Sequence, residues 1–107
     1  MASIHPNVEV TQEQITAFCQ KWQITQFELF GSVLRDDFRP DSDVDVLVTF
    51  APDSRGTLFD LVHMEDELKA LFGRDVDLVQ RPVIEKSDNY IRRKNILTST
   101  KRVYAAG

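Results

Sequence analysis

Gly31-Ser32, ten intervening residues and then Asp43-Val44-Asp45, set into an apolar run that ends at Phe50, is the part of this chain whose residue types and spacing could do chemistry. In an extended strand successive side chains point to opposite faces. Asp43 and Asp45 then share one face, and Val44, Val46 and Val48 the other. Two neighbouring carboxylates repel unless a cation is shared between them. Mg²⁺ suits such ligands, because it binds through one or two carboxylates and completes its shell with water and substrate phosphates. The strand therefore predicts both a metal and a phosphate ligand.

Gly31 lets a backbone come close to a phosphate. Ser32, at the start of a short helix read over 32–37, offers a hydroxyl, a backbone N–H and the positive end of the helix dipole. Arg35, one turn on, adds charge-assisted hydrogen bonds to the same phosphates. A third acid, Asp77, lies inside Val76-Asp77-Leu78-Val79, where a carboxylate among apolar residues is costly without a cation. Asp75 competes for that role, although its neighbours Gly73-Arg74 suit a carboxylate that faces water or pairs with arginine. Three acids could hold two metal ions, an arrangement that clamps both oxygens of an in-line phosphoryl displacement.

The elements that must position these residues follow from periodicity. Thr11 and Gln14 fit a capping box, and Ile15, Phe18, Cys19 and Trp22 recur at helical spacing after it. Ile24 to Phe30 reads as a strand running into a turn at Gly31, and Asp43 to Phe50 as a second strand. After a loop over Ala51 to Gly56, Thr57 and Asp60 resemble a helix start. Leu58, Leu61, Val62, Leu68, Leu71 and Phe72 mark one face of that helix, and Gly73 is its C-cap. Asp75 to Val79 is a third strand, Pro82 to Leu97 a third helix, and Val103 to Ala105 a short edge strand. Strands interleaved with helices predict an α/β or α+β fold, a small mixed sheet with helices packed on it.

The chain has 107 residues, the size of one domain, read here as a single unit over 1–107 with its core over about 23–104. Its 42% hydrophobic and 28% charged residues are those of a globular protein. No apolar run reaches bilayer length, and Met1 to Val10 lacks a signal-peptide pattern, so the cytoplasm is the expected location and no membrane partner is expected. The single cysteine, Cys19, excludes an intrachain disulfide. A net charge of −4 argues against general nucleic-acid binding. Arg92, Arg93, Lys94, Lys101 and Arg102 nevertheless gather near the C-terminus, as a partner surface or a solvated face.

With Gly31-Ser32, Asp43-Val44-Asp45 and Asp77 in this order, the chain resembles the nucleotidyltransferase superfamily that includes DNA polymerase β. More closely, over roughly Gln23 to Tyr104, it resembles the minimal nucleotidyltransferase antitoxins, the MNT half of HEPN–MNT toxin–antitoxin pairs. The resemblance implies a nucleotidyltransferase fold, with catalytic and metal-binding roles for Asp43, Asp45 and Asp77 and a nucleotide-phosphate role for Gly31 and Ser32. It also implies transfer of AMP from ATP, with Mg²⁺, to a tyrosine hydroxyl of a HEPN ribonuclease encoded beside it. Many members carry a small residue before the arginine and a glycine after it, where this chain has Leu34 and Asp36. Two other readings stand beside this one: an antitoxin that neutralises by binding alone, and a nucleotidyltransferase acting on a small molecule of aminoglycoside type. An EF-hand and a P-loop are excluded, because Val46 and Pro52 occupy the EF-hand glycine and glutamate positions and no Gly-Lys-Ser/Thr follows Gly31.

Overall fold

The computed structural model describes residues 3–39, 41–52 and 58–106. Thr11 caps α1 (Gln12–Trp22) with the expected reciprocal box: its hydroxyl accepts from the Gln14 N–H at 3.2 Å, and Gln14 Oε1 accepts from the Thr11 N–H at 2.9 Å. The helix buries Ile15, Phe18 and Cys19 and ends at Gln23 in the left-handed region. Trp22, at its last turn, donates from Nε1 to Glu67 at 2.9 Å, which joins α1 to α2 (Leu58–Phe72).

Four strands form the main sheet: β3 (Ile24–Phe30), β4 (Val44–Phe50), β5 (Val76–Gln80) and β6 (Lys101–Ala105), in the order β5-β4-β3-β6. Only β4 and β5 are parallel, and α2 supplies the crossover that a parallel pair requires. One face of the sheet packs against α1 and α2 through Phe27, Leu29, Val44, Val46, Val48, Met64 and Leu68. The opposite face, under α3 (Arg81–Glu85) and α4 (Tyr90–Leu97), holds a smaller cluster of Phe30, Leu47, Ile84 and Ile96. Asp45, Glu28 and Asp77 belong to this second face, since they alternate with the buried residues of the first.

Four expectations change. A hairpin of β1 (Ser3–His5) and β2 (Val8–Thr11) precedes α1 and contributes Ile4, Val8 and Val10 to the core, so the core begins well before residue 23. Its strands are too short to carry a periodic signal. The segment over 32–37 is no α-helix: a 3-10 turn spans Gly31–Leu34, and Arg35 is already extended. The helix expected after Pro82 is two helices, because Ser87 and Asn89 turn their side chains on the local backbone and Asn89 caps α4. Val62 is 58% exposed, since Leu61, Met64, Leu68 and Phe72 set the inward face of α2 and Val62 falls beside it. The expected loop at Ala51 to Gly56 and the helix start at Thr57 lie largely outside the described residues.

Glu28 is the buried acid of the core, 4% exposed, and Arg81 at the start of α3 donates to both its carboxylate oxygens at 2.8 Å. Removing one partner of a buried ion pair leaves the other uncompensated. Glu28→Ala should therefore lower unfolding free energy by about 2 kcal/mol or more, read from the urea midpoint, with α3 loosened from the sheet.

Candidate active site

Asp45 stands on β4 with Asp77 directly beside it on β5 in parallel register and Phe30 of β3 on its other side. Asp43 precedes the first residue of β4 and is exposed. The start of β4 is fastened by the residue before β5: the Val44 N–H donates to Asp75 O at 3.0 Å. Just before β5, Arg74 stacks its guanidinium 4.6 Å from the Phe38 ring centre and donates to Arg39 O at 3.0 Å and Ser42 O at 3.5 Å. Asp75 thus serves through its backbone, with its side chain exposed, while Asp77 is the acid brought beside Asp45.

Burial, with Asp77 and then Asp43 nearby, pushes the Asp45 carboxyl up to about 6. Asp45 therefore feels both of the other acids, and a shared cation is what relieves such repulsion. Among the described residues no three acid, histidine or cysteine groups converge into a ready cation cage. Mg²⁺ does not need one, because one or two carboxylates suffice when water and substrate phosphates complete its shell. The donor set, all hard oxygen and already crowded, fits that ion.

Gly31 adopts φ +76°, in the left-handed region that disfavours a side chain, and a Cβ built there would collide with Asp45 Oδ2. Glycine is thus required twice, for the turn and for the close approach. The turn it opens is held by a residue that the motif spacing did not reveal: the Asn7 side-chain amide donates to Val33 O at 2.8 Å and Arg35 O at 2.9 Å. Ser32 is half-buried in this turn, its carbonyl accepting from the Arg35 N–H at 3.0 Å. A four-residue 3-10 turn supplies less aligned dipole than the α-helix read from sequence, so the phosphate reading of Ser32 rests on its hydroxyl and backbone N–H.

A cleft of about 1210 Å³ opens over this face, with Asp45 and Asp77 in its lining, Gly31 and Arg35 from the turn, and residues of α4. Asp43 and Ser32 do not line it. Arg35 is exposed and, among the described residues, its side chain makes no ion pair, Asp36 and Asp37 included. The sequence signal for Asn7 and Arg74 was nil, because each acts on backbone atoms far along the chain.

Two outcomes follow. With its folded-state value above the ordinary 3.8, Asp45 keeps a proton that the unfolded chain releases, so its contribution to stability falls as pH rises from about 4 to about 6. Asp45→Asn should match the parent near pH 4 and exceed it at pH 7 by on the order of 1 kcal/mol, partial exposure being allowed for, in thermal unfolding across that range. Added Mg²⁺ should raise the unfolding midpoint of the parent at pH 7 and leave that of Asp43→Ala, Asp45→Ala unchanged.

The profile of a nucleotidyltransferase domain matches residues 12–103. The chain is 36% identical over 62 residues to protein adenylyltransferase MntA of Thermococcus cleftensis, a match that covers 58% of this chain and 61% of that relative. A solved structure provisionally described as a minimal nucleotidyltransferase superposes with a TM-score of 0.64 at 29% identity, covering 84% of this chain and 86% of that one. A structure of a tri-AMPylated Shewanella oneidensis HEPN toxin in complex with MNT antitoxin shares the fold, at a TM-score of 0.60 and 18% identity, over 89% of this chain and 70% of that one. The matched span, and the crowded acids beside a glycine that only a glycine can replace, lead to one conclusion: the chain belongs to the nucleotidyltransferase domain family.

Proposed function

We propose that this protein is a minimal nucleotidyltransferase antitoxin that transfers AMP from ATP to a tyrosine hydroxyl of a HEPN-type toxin. The observation that carries the reading is the side-by-side register of Asp45 and Asp77, with Gly31 closed against Asp45 at the edge of the cleft. The likeness to an MntA adenylyltransferase and to an antitoxin seen with an AMPylated toxin supports the choice of nucleotide and acceptor. The catalytic unit is taken as one domain over 1–107, acting in the cytoplasm; no helix among the described residues is long and apolar enough to cross a membrane.

In the transfer, the acceptor oxygen attacks the α-phosphorus of ATP and forms the new O–P bond. The bond from that phosphorus to the bridging oxygen breaks, and pyrophosphate leaves. Asp43, Asp45 and Asp77 are the residues that would hold Mg²⁺, as two ions, and the metal would supply charge neutralisation on the phosphates and a lowered pKa for the attacking hydroxyl. Asp77, the more exposed of the two acids that line the cleft, is the group that would receive the hydroxyl proton. Of the turn, Gly31 and the Arg35 guanidinium line the cleft and would meet the pyrophosphate portion, and the Ser32 hydroxyl, which does not line it, would reach that ligand from beside the cleft.

The test is intact-mass measurement of the HEPN-type protein encoded beside this one, after incubation with ATP and Mg²⁺. The parent protein should leave an AMP adduct, and Asp43→Ala, Asp45→Ala should leave none while folding normally. Neutralisation of the toxin without an adduct from the parent protein would overturn transfer in favour of occlusion. An adduct on an aminoglycoside, with none on the toxin, would place the acceptor among small molecules.

A further inference from the structure

Seven of the thirteen lysines and arginines fall between Arg81 and Arg102, against only two acids, Glu85 and Asp88. Three of those cations are consecutive on α4, and the structure separates them. Arg93 is engaged, donating to Ser87 O at 3.2 Å with its guanidinium 5.6 Å from the Tyr90 ring centre. Lys94 is exposed and does not line the cleft. Arg92 lines the cleft and, among the described residues, its side chain makes no hydrogen bond and no ion pair.

Arg92 forms no ion pair with Asp45 or Asp77, although all three line the same open space. That space is large enough for a nucleotide, since ligand pockets commonly measure about 300–1,000 Å³ and this cleft is about 1210 Å³. A triphosphate tail entering over a floor of carboxylates meets net repulsion unless cations face it as well. A guanidinium is the side chain whose planar fork fits phosphate oxygens in pairs. Asn89 and Asn95 border Arg92 on the same wall, and the Asn89 side chain caps α4 by accepting the Arg92 N–H at 3.1 Å, which fixes the turn of helix that carries the guanidinium.

We propose that Arg92 is a nucleotide-binding residue that grips the phosphate tail from the α4 wall, across the cleft from the carboxylates. The proposal rests on the nucleotide reading of this site and adds a contact that neither the Gly-Ser nor the Asp-x-Asp motif contains. Equilibrium binding of ATP and of inorganic tripolyphosphate, each with Mg²⁺, tests it on the parent, Arg92→Gln, Arg92→Lys and Lys94→Gln. Loss of one charge-assisted contact should weaken both probes about ten-fold or more in Arg92→Gln, with a smaller loss in Arg92→Lys and none in Lys94→Gln. All four proteins should share one thermal midpoint. Equal weakening by Lys94→Gln would reduce the effect to diffuse charge and overturn the proposal. Unchanged binding of both probes in Arg92→Gln, with loss only of toxin modification, would overturn it by making Arg92 an acceptor contact. If the parent protein binds neither probe, the nucleotide reading itself fails, and the proposal with it.

Discussion

Two like charges, Asp45 and Asp77, are held side by side at one end of this sheet, with Asp43 near enough to Asp45 to add to the repulsion, and most of the surrounding structure serves that constraint. Left free, Asp43, Asp45 and Asp77 would move apart, because nothing in their mutual interaction favours proximity. What opposes the repulsion is backbone: the β4–β5 ladder sets Asp45 opposite Asp77, and the antiparallel β3–β4 ladder holds the other side of Asp45 against Phe30. The cost is met by the burial of Val44, Val46 and Val48 on the reverse face of the same strand, where each valine is essentially inaccessible. A strand with one apolar and one acidic face thus anchors itself by the first and stores electrostatic tension on the second.

The contacts around the acids act mainly on backbone position. Arg74 stacks on Phe38 and ties down the carbonyls of Arg39 and Ser42, the segment that delivers Asp43. Asn7 reaches from the hairpin to the carbonyls of Val33 and Arg35 and holds the turn that brings Gly31 against Asp45. The Glu28–Arg81 pair seats α3 on the second face of the sheet, and α4 follows as the far wall of the cleft. The Asn7 contact confines a turn from which Gly31, Leu34 and Arg35 line the cleft, and the other two hold the segments that lead to Asp43 and to α4, so the site is preorganised by residues outside the cleft lining.

Local chemistry explains why much of this was readable from the chain. The capping box at Thr11, the apolar periodicity of α1 and the alternation in β4 are signals carried within a few residues, and each produced the element it predicts. The motif spacing from Gly31-Ser32 to Asp43-Val44-Asp45 is equally local, because one turn and one strand contain it. The failures have a common cause. The β1–β2 hairpin and the break between α3 and α4 are short segments whose shape depends on long-range packing or on side chain to backbone competition that periodicity does not register.

The sequence by itself determined which residue types stand where: two alternating acids on an apolar strand, a glycine and serine ahead of them, a third acid later, and a basic C-terminal cluster. Only tertiary structure decided which of them meet. The choice between Asp75 and Asp77 is made by the parallel register of β5 on β4, a property of two strands about thirty residues apart. The separation of Arg92 from Arg93 and Lys94 is made by the rotation of α4 against the sheet, since neighbours on a helix point about 100° apart and only one of the three turns into the cleft.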